Sequence, residues 1–163
     1  MSETNTEAPQ KPPREGHLKL RAETEEDITV LSAVLQDAVT LMADMTYLPK
    51  ERRFALMVNR YLWEAEKVDA GLDGCLRVRT GVHFDGVLKV TTLNMPPRSS
   101  TKVLELLAVD AAPWENGAGA EIVLVFAGGS IIRLEAECID AYLSDVGEPW
   151  PARCRPRHAV DNL

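Results

Sequence analysis

The chain has 163 residues, 45% of them hydrophobic and 26% charged, with a formal net charge of −7. That length builds one real core but not two, and the acidic balance argues against a nucleic-acid partner, because neutralising phosphates requires a basic face. No apolar run approaches the ~18 residues that span a bilayer as a helix, so no membrane partner is expected.

Residues 1–17, MSETNTEAPQKPPREGH, hold three prolines and five charges and are expected to form a disordered leader. They lack the apolar stretch of a secretory signal, and Glu3, Glu7 and Glu15 argue against a transit peptide. Cys75, Cys138 and Cys154 are odd in number and irregularly spaced, which reads as reduced thiols and a cytosolic address.

A short strand is expected at Leu18 to Arg21. Thr24 then stands as an N-cap before Glu25, Glu26 and Asp27, acids suited to the positive end of a helix. Ile28, Leu31, Val34 and Leu35 share one face, so the spacing predicts an amphipathic helix over 25–37.

The runs VTLMADMTYLP and RRFALMVNRYLW fold onto one another around Lys50 and Glu51. In that register Val39, Leu41, Ala43, Met45 and Tyr47 oppose Leu62, Arg60, Val58, Leu56 and Phe54, and every one but Arg60 is suited to burial. A second hairpin is predicted at Asp85-Gly86, a two-residue turn of the kind that matches strand twist. It sets Leu76, Val78, Thr80, Val82 and Phe84 against Met95, Leu93, Thr91, Lys89 and Val87. NMPPRSSTK breaks the pattern, VLELLAVDA reads as a fifth strand, and EIVLVF and IIRLEAEC turn at Gly128-Gly129. Ile139, Tyr142, Leu143 and Val146 fall on one face of a short predicted helix, stopped by Gly147 and Pro149.

The expected fold class is mainly β (α+β): about seven antiparallel strands as a two-sheet sandwich or partly open barrel, with one helix at each end. It would form a single domain over 18–153 with a flexible tail at 154–163. Strand count and final helix resemble the pleckstrin-homology architecture; a sandwich of another topology fits equally well.

Three segments together resemble a known family: the helix DITVLSAVLQDAV, the hairpin DMTYLPKERRFALMVNRYLWE and the end ECIDAYLSDVGEPWPAR. The likeness is to small uncharacterised bacterial proteins common in alphaproteobacteria, a domain of unknown function, and covers about residues 18–153. It implies a bacterial cytosolic setting and transfers no activity or site.

On the second face of the predicted central hairpin, Arg77, Arg79 and His83 face Asn94, Thr92 and Leu88. Two guanidiniums and an imidazole on one side of a strand suit a carboxylate or phosphate, although a solvated outer face calls for the same residues. Lys50, Arg52 and Arg53 at the first hairpin tip, and Trp114 in the loop APWENGAG, are the candidate anchors for a partner. Trp63, Trp114 and Trp150 lie near element ends, where tryptophan plugs the end of a core, and Trp114 is the one expected to be exposed. Cys154 and His158 have no second close pair of ligands, so no metal site is expected. No phosphate loop, nucleophile set or cofactor signature is present. The leading expectation is a non-catalytic cytosolic domain binding a protein partner or itself. The alternative is a small anionic-ligand binder or enzyme using the Arg77, Arg79 and His83 face.

Overall fold

The computed structural model describes residues 18–63 and 75–152, a mainly β chain with one α-helix. The expected leader, the segment 64–74 and the tail with Cys154 and His158 lie outside the described residues. In chain order the elements are β1 (Lys19–Ala22), α1 (Glu25–Leu35), β2 (Val39–Thr40), a 3-10 turn (Met42–Asp44), β3 (Met45–Leu48), β4 (Arg53–Tyr61), β5 (Leu76–Asp85), β6 (Val87–Leu93), β7 (Leu104–Pro113), β8 (Ala120–Phe126), β9 (Ser130–Ala136) and β10 (Ala141–Pro151). Among the described residues no helix is long and apolar enough to cross a membrane.

The strands form one open antiparallel sheet in the order β1-β10-β5-β4-β2-β7-β8-β9-β6, with β3 paired to β4 off that path. Several local expectations hold. Thr24 caps α1 by accepting from the Asp27 N–H, while the Asp27 carboxylate accepts from the Thr24 N–H, a reciprocal capping box. Met45 opposes Leu56 and Tyr47 opposes Phe54, the predicted register. The Gly128-Gly129 turn joins β8 to β9 with both glycines at positive φ.

Other expectations are corrected. The first predicted strand is split by the 3-10 turn, which shifts the register upstream so that Val39 opposes Asn59 rather than Leu62. The second predicted hairpin does not pair: β5 lies between β4 and β10, and β6 pairs with β9. Asp85-Gly86 is a real bend, but it carries the chain from one half of the sheet to its far edge. A turn signal reports local backbone geometry; which strand becomes the neighbour is decided by distant burial.

The predicted C-terminal helix is the strand β10, so the closing helix on which the pleckstrin-homology comparison leaned is not present. Its period of two is real, with Ala141, Leu143 and Asp145 all pointing inward and buried. An aspartate at the third inward position breaks the apolar alternation in the sequence, and the spacing of Ile139, Tyr142, Leu143 and Val146 then imitates a helix. Seven expected strands thus become ten: the first is divided, and β1 and β10 join the sheet at one end.

Both halves of the sheet feed one core. Phe54, Leu56, Val58, Val82, Phe84 and Leu143 from β4, β5 and β10 join Leu106, Ile122, Leu124, Phe126, Ile132 and Leu134 from β7, β8 and β9, with Ile28, Leu31 and Leu35 of α1 in the same cluster. Burial of such side chains contributes roughly 1.5–3 kcal/mol apiece before entropy is counted. Helix α1 is tied to β7 by the Ser32 hydroxyl, which accepts from the Val109 N–H at 2.9 Å.

Arg60, the misfit of the predicted hairpin, is also buried. Its Nε and Nη2 donate to Asp145 Oδ1 and Oδ2 at 2.8 and 2.7 Å, and both side chains are fully buried. Thr80 Oγ1 and the Leu18 N–H complete the shell around Asp145. Burial pushes the Asp145 carboxyl up, and these hydrogen bonds with the Arg60 charge outweigh it, holding the group below the ordinary carboxylate range.

Cys138 is a free, exposed thiol, whereas Cys75 is disulfide-bonded, which corrects the expectation of three reduced thiols. One inference behind the cytosolic expectation, the absence of a disulfide, therefore falls away.

Candidate functional site

Strands β4 and β5 alternate between their two faces, as does β10 up to the register shift between Val146 and Trp150. With Leu56, Val82 and Leu143 turned to the core, the opposite face is built in rows: Ala55, His83 and Tyr142; Met57, Gly81 and Ser144; Asn59, Arg79 and Val146; Tyr61, Arg77 and Trp150. The row of Met57, Gly81 and Ser144 is low at its centre because Gly81 has no side chain. A Cβ there would meet Met57 Sδ at 3.4 Å and the Ser144 carbonyl oxygen at 3.9 Å, ordinary contacts, so the backbone does not demand glycine.

Over this row lies a cleft of about 560 Å³. Its floor and sides are Leu48, Ala55, Met57, Gly81, Tyr142 and Val146, with Asp44, Arg53, His83, Arg98 and Ser144 as the polar lining. Leu48 and Val146 are 39% and 51% exposed, which leaves apolar surface open in the recess. The size and the mostly apolar lining with few polar groups are those of small-molecule sites, roughly 300–1,000 Å³.

One end of the cleft carries a polar network. Arg53 Nε and Nη2 donate to Asp85 Oδ1 and Oδ2 at 2.7 and 3.3 Å, and His83 Nδ1 lies 3.1 Å from Asp85 Oδ1. The His83 ring stacks on Tyr142 with centroids 4.7 Å apart, and the Arg21 guanidinium lies 5.1 Å from the Tyr142 ring centroid. Burial pushes the Asp85 carboxyl up, but hydrogen bonds from Arg53 and His83 prevail and hold it below its usual range. The hydrogen bond to Asp85 chiefly raises Arg53 in turn. Beside the cleft, a smaller recess shares Met57 and Asp44 with it; Arg79 lines that recess and lies 3.7 Å from Asp44.

The structure divides the residues singled out in the sequence. His83 and Arg53 line the cleft, and Arg79 lines the adjoining recess. Arg77 lies two rows away, its guanidinium 3.8 Å from the Tyr61 ring centroid and donating to the Asn59 carbonyl. Asn94 is in the other half of the sheet, donating to the Gly129 carbonyl, because β6 pairs with β9 and not β5; the predicted grouping of Arg77, Arg79, His83 and Asn94 is not formed. At the hairpin tip Lys50 is exposed, while Arg52 is bonded to Glu137 through its side chain and to the Val87 N–H through its carbonyl. Trp114 is half-buried rather than exposed: its ring sits where a Cβ on Gly119 would go, and its backbone N–H donates to the Gly119 carbonyl.

Gly81, Met57, Tyr142 and Arg98 went unread as site residues. Gly81 did carry a signal, since a glycine inside a strand marks close approach or open space. Tyr142 was assigned to a helix, and Arg98 comes from the loop between β6 and β7, which no local pattern connects to β5. Among the described residues no group of three or more His, Cys, Asp or Glu is placed to hold a metal ion.

Comparison with curated proteins and with solved structures gave no match. A match over residues 18–158, nearly the whole of the chain, shows that it belongs to the family described as Protein of unknown function (DUF2948).

Proposed function

We propose that this domain is a non-catalytic binding protein whose cleft over Gly81 holds a small, mostly apolar ligand. The observation that carries the reading is the cleft itself, an apolar recess of about 560 Å³ on a sheet face that would otherwise be solvated. His83 is held by Asp85 and Tyr142, and among the described residues no nucleophile is hydrogen-bonded to it, so the site is read as one for binding rather than for reaction. The other reading, a protein partner or a second copy docking at the first hairpin tip, draws mainly on Lys50, since Arg52 and Arg53 are engaged by Glu137 and Asp85.

The neutral fluorescent amine N-phenyl-1-naphthylamine tests the cleft directly. Saturable enhancement by the folded wild type, lost in Gly81→Leu while that variant melts like wild type, is the expected result. A wild type that shows no saturable binding, or a Gly81→Leu variant that binds equally well, removes the cleft reading.

A further inference from the structure

We infer that the ligand of this cleft is an anion: an aromatic or aliphatic body seated over Gly81, with a carboxylate- or sulfonate-type group held by Arg98. The inference rests on the cleft reading above and adds the chemical class of the occupant.

It follows from the charges that the cleft leaves unmatched. Arg53 is answered by both oxygens of Asp85, and Asp44 has Arg79 3.7 Å away. Arg98, by contrast, lines the cleft with no carboxylate within ion-pair distance among the described residues. His83 presents its Nδ1 edge to Asp85, and its Nε2 edge takes no hydrogen bond among the described residues. With Arg53 matched by Asp85 and Asp44 by Arg79, Arg98 is the charge left over at the cleft, in a protein whose formal net charge is −7. An unmatched guanidinium in an acidic molecule favours anions, because the rest of the surface repels them and Arg98 is where their charge is met. The apolar floor sets the other half of the specificity: inorganic phosphate would leave Leu48, Met57 and Val146 uncovered, whereas an anion with a hydrocarbon or aromatic body covers them. A guanidinium also suits a planar acid group better than an ammonium does, since it donates two parallel hydrogen bonds.

Two probes with the same body separate the class of ligand from the existence of the site. N-phenyl-1-naphthylamine is neutral, and 8-anilinonaphthalene-1-sulfonate adds an acid group to the same rings. Titrated into the full chain, the sulfonate is expected to bind about tenfold tighter or better, a gain of the size a charge-assisted pair supplies. Arg98→Gln should bring the sulfonate down to the affinity of the neutral probe while leaving the neutral probe where it was. Arg98→Lys should restore part of the gain. Equal affinity of the two probes for wild type, or an Arg98→Gln variant that weakens both alike, overturns the anion inference and leaves the cleft reading standing. Binding of neither probe overturns both.

Discussion

Two arginine–aspartate forks join the same group of strands, one on each face of the sheet. Arg60 of β4 meets Asp145 of β10 on the inner face, and Arg53 of β4 meets Asp85 of β5 on the outer. The chemistry is the same and the geometry nearly so, but the inner side chains are fully buried whereas Arg53 and Asp85 keep 44% and 24% exposure. The environment therefore assigns their roles. In the core, water cannot replace a lost partner; at the surface it can. The inner fork is part of the fold, and the outer one orients His83 at the end of a cleft.

The largest expected break in that comparison is Asp145→Asn. It removes the Asp145 charge that both Arg60 Nε and Nη2 reach in the core and should cost about 3–5 kcal/mol, read as a drop in the urea midpoint at unchanged slope. Replacing both partners together, Arg60→Met with Asp145→Leu, should recover most of that loss or exceed wild type by about 1–4 kcal/mol, because the desolvation of two charges disappears with them. A double variant no better than Asp145→Asn would mean that the pair does more than satisfy itself.

The pH dependence has a definite sign. The folded Asp145 carboxyl lies below its unfolded value, so its contribution is complete above roughly pH 4 and is lost as the pH falls through the folded value. Wild type should therefore lose stability into acid more steeply than Asp145→Asn, measured by urea melts down to about pH 2. Asp85 shifts in the same direction, so Asp85→Asn should flatten the acid limb as well, by less than Asp145→Asn because solvent screens the outer pair.

Arg53→Gln should cost no more than about 1 kcal/mol of stability, against several for the inner site, and a larger loss would put the two forks on the same footing. The smallest effect is expected at Gly81→Ala. A methyl group fits there without strain, and the change should stabilise the strand by about 0.5–1 kcal/mol while narrowing the cleft. A melting point below wild type would show that Met57 cannot make room.

The same contrast explains what could be read in advance. Elements whose information is local were legible: Thr24 and Asp27 mark the start of α1, Gly128-Gly129 marks a hairpin, and Met45 and Tyr47 find their partners across a short turn. The inner fork was illegible because each half looks like an error in isolation, Arg60 in a strand otherwise fit for burial and Asp145 in what then reads as a helix. Only their pairing across 85 positions of sequence makes sense of both. The cleft was half legible for the same reason. His83 and Arg53 stood out by residue type, but the row that joins Gly81 to Met57 and Ser144 depends on β5 lying between β4 and β10, a neighbourhood no turn encodes.

The position of β10 has a consequence for the order in which the molecule is built. This strand is synthesised after the other nine, yet it is inserted between β1 and β5, bonded to both. Until it emerges from the ribosome, β1 has no strand beside it and β5 has one open edge, so the hairpin of β8 and β9 is free to form early while this half of the sheet waits. High contact order of this kind slows folding, because loop entropy is lost before the long-range contacts repay it. The Arg60 charge waits with it: Asp145 arrives on β10, and burial of that end of the core is coupled to the insertion of this strand.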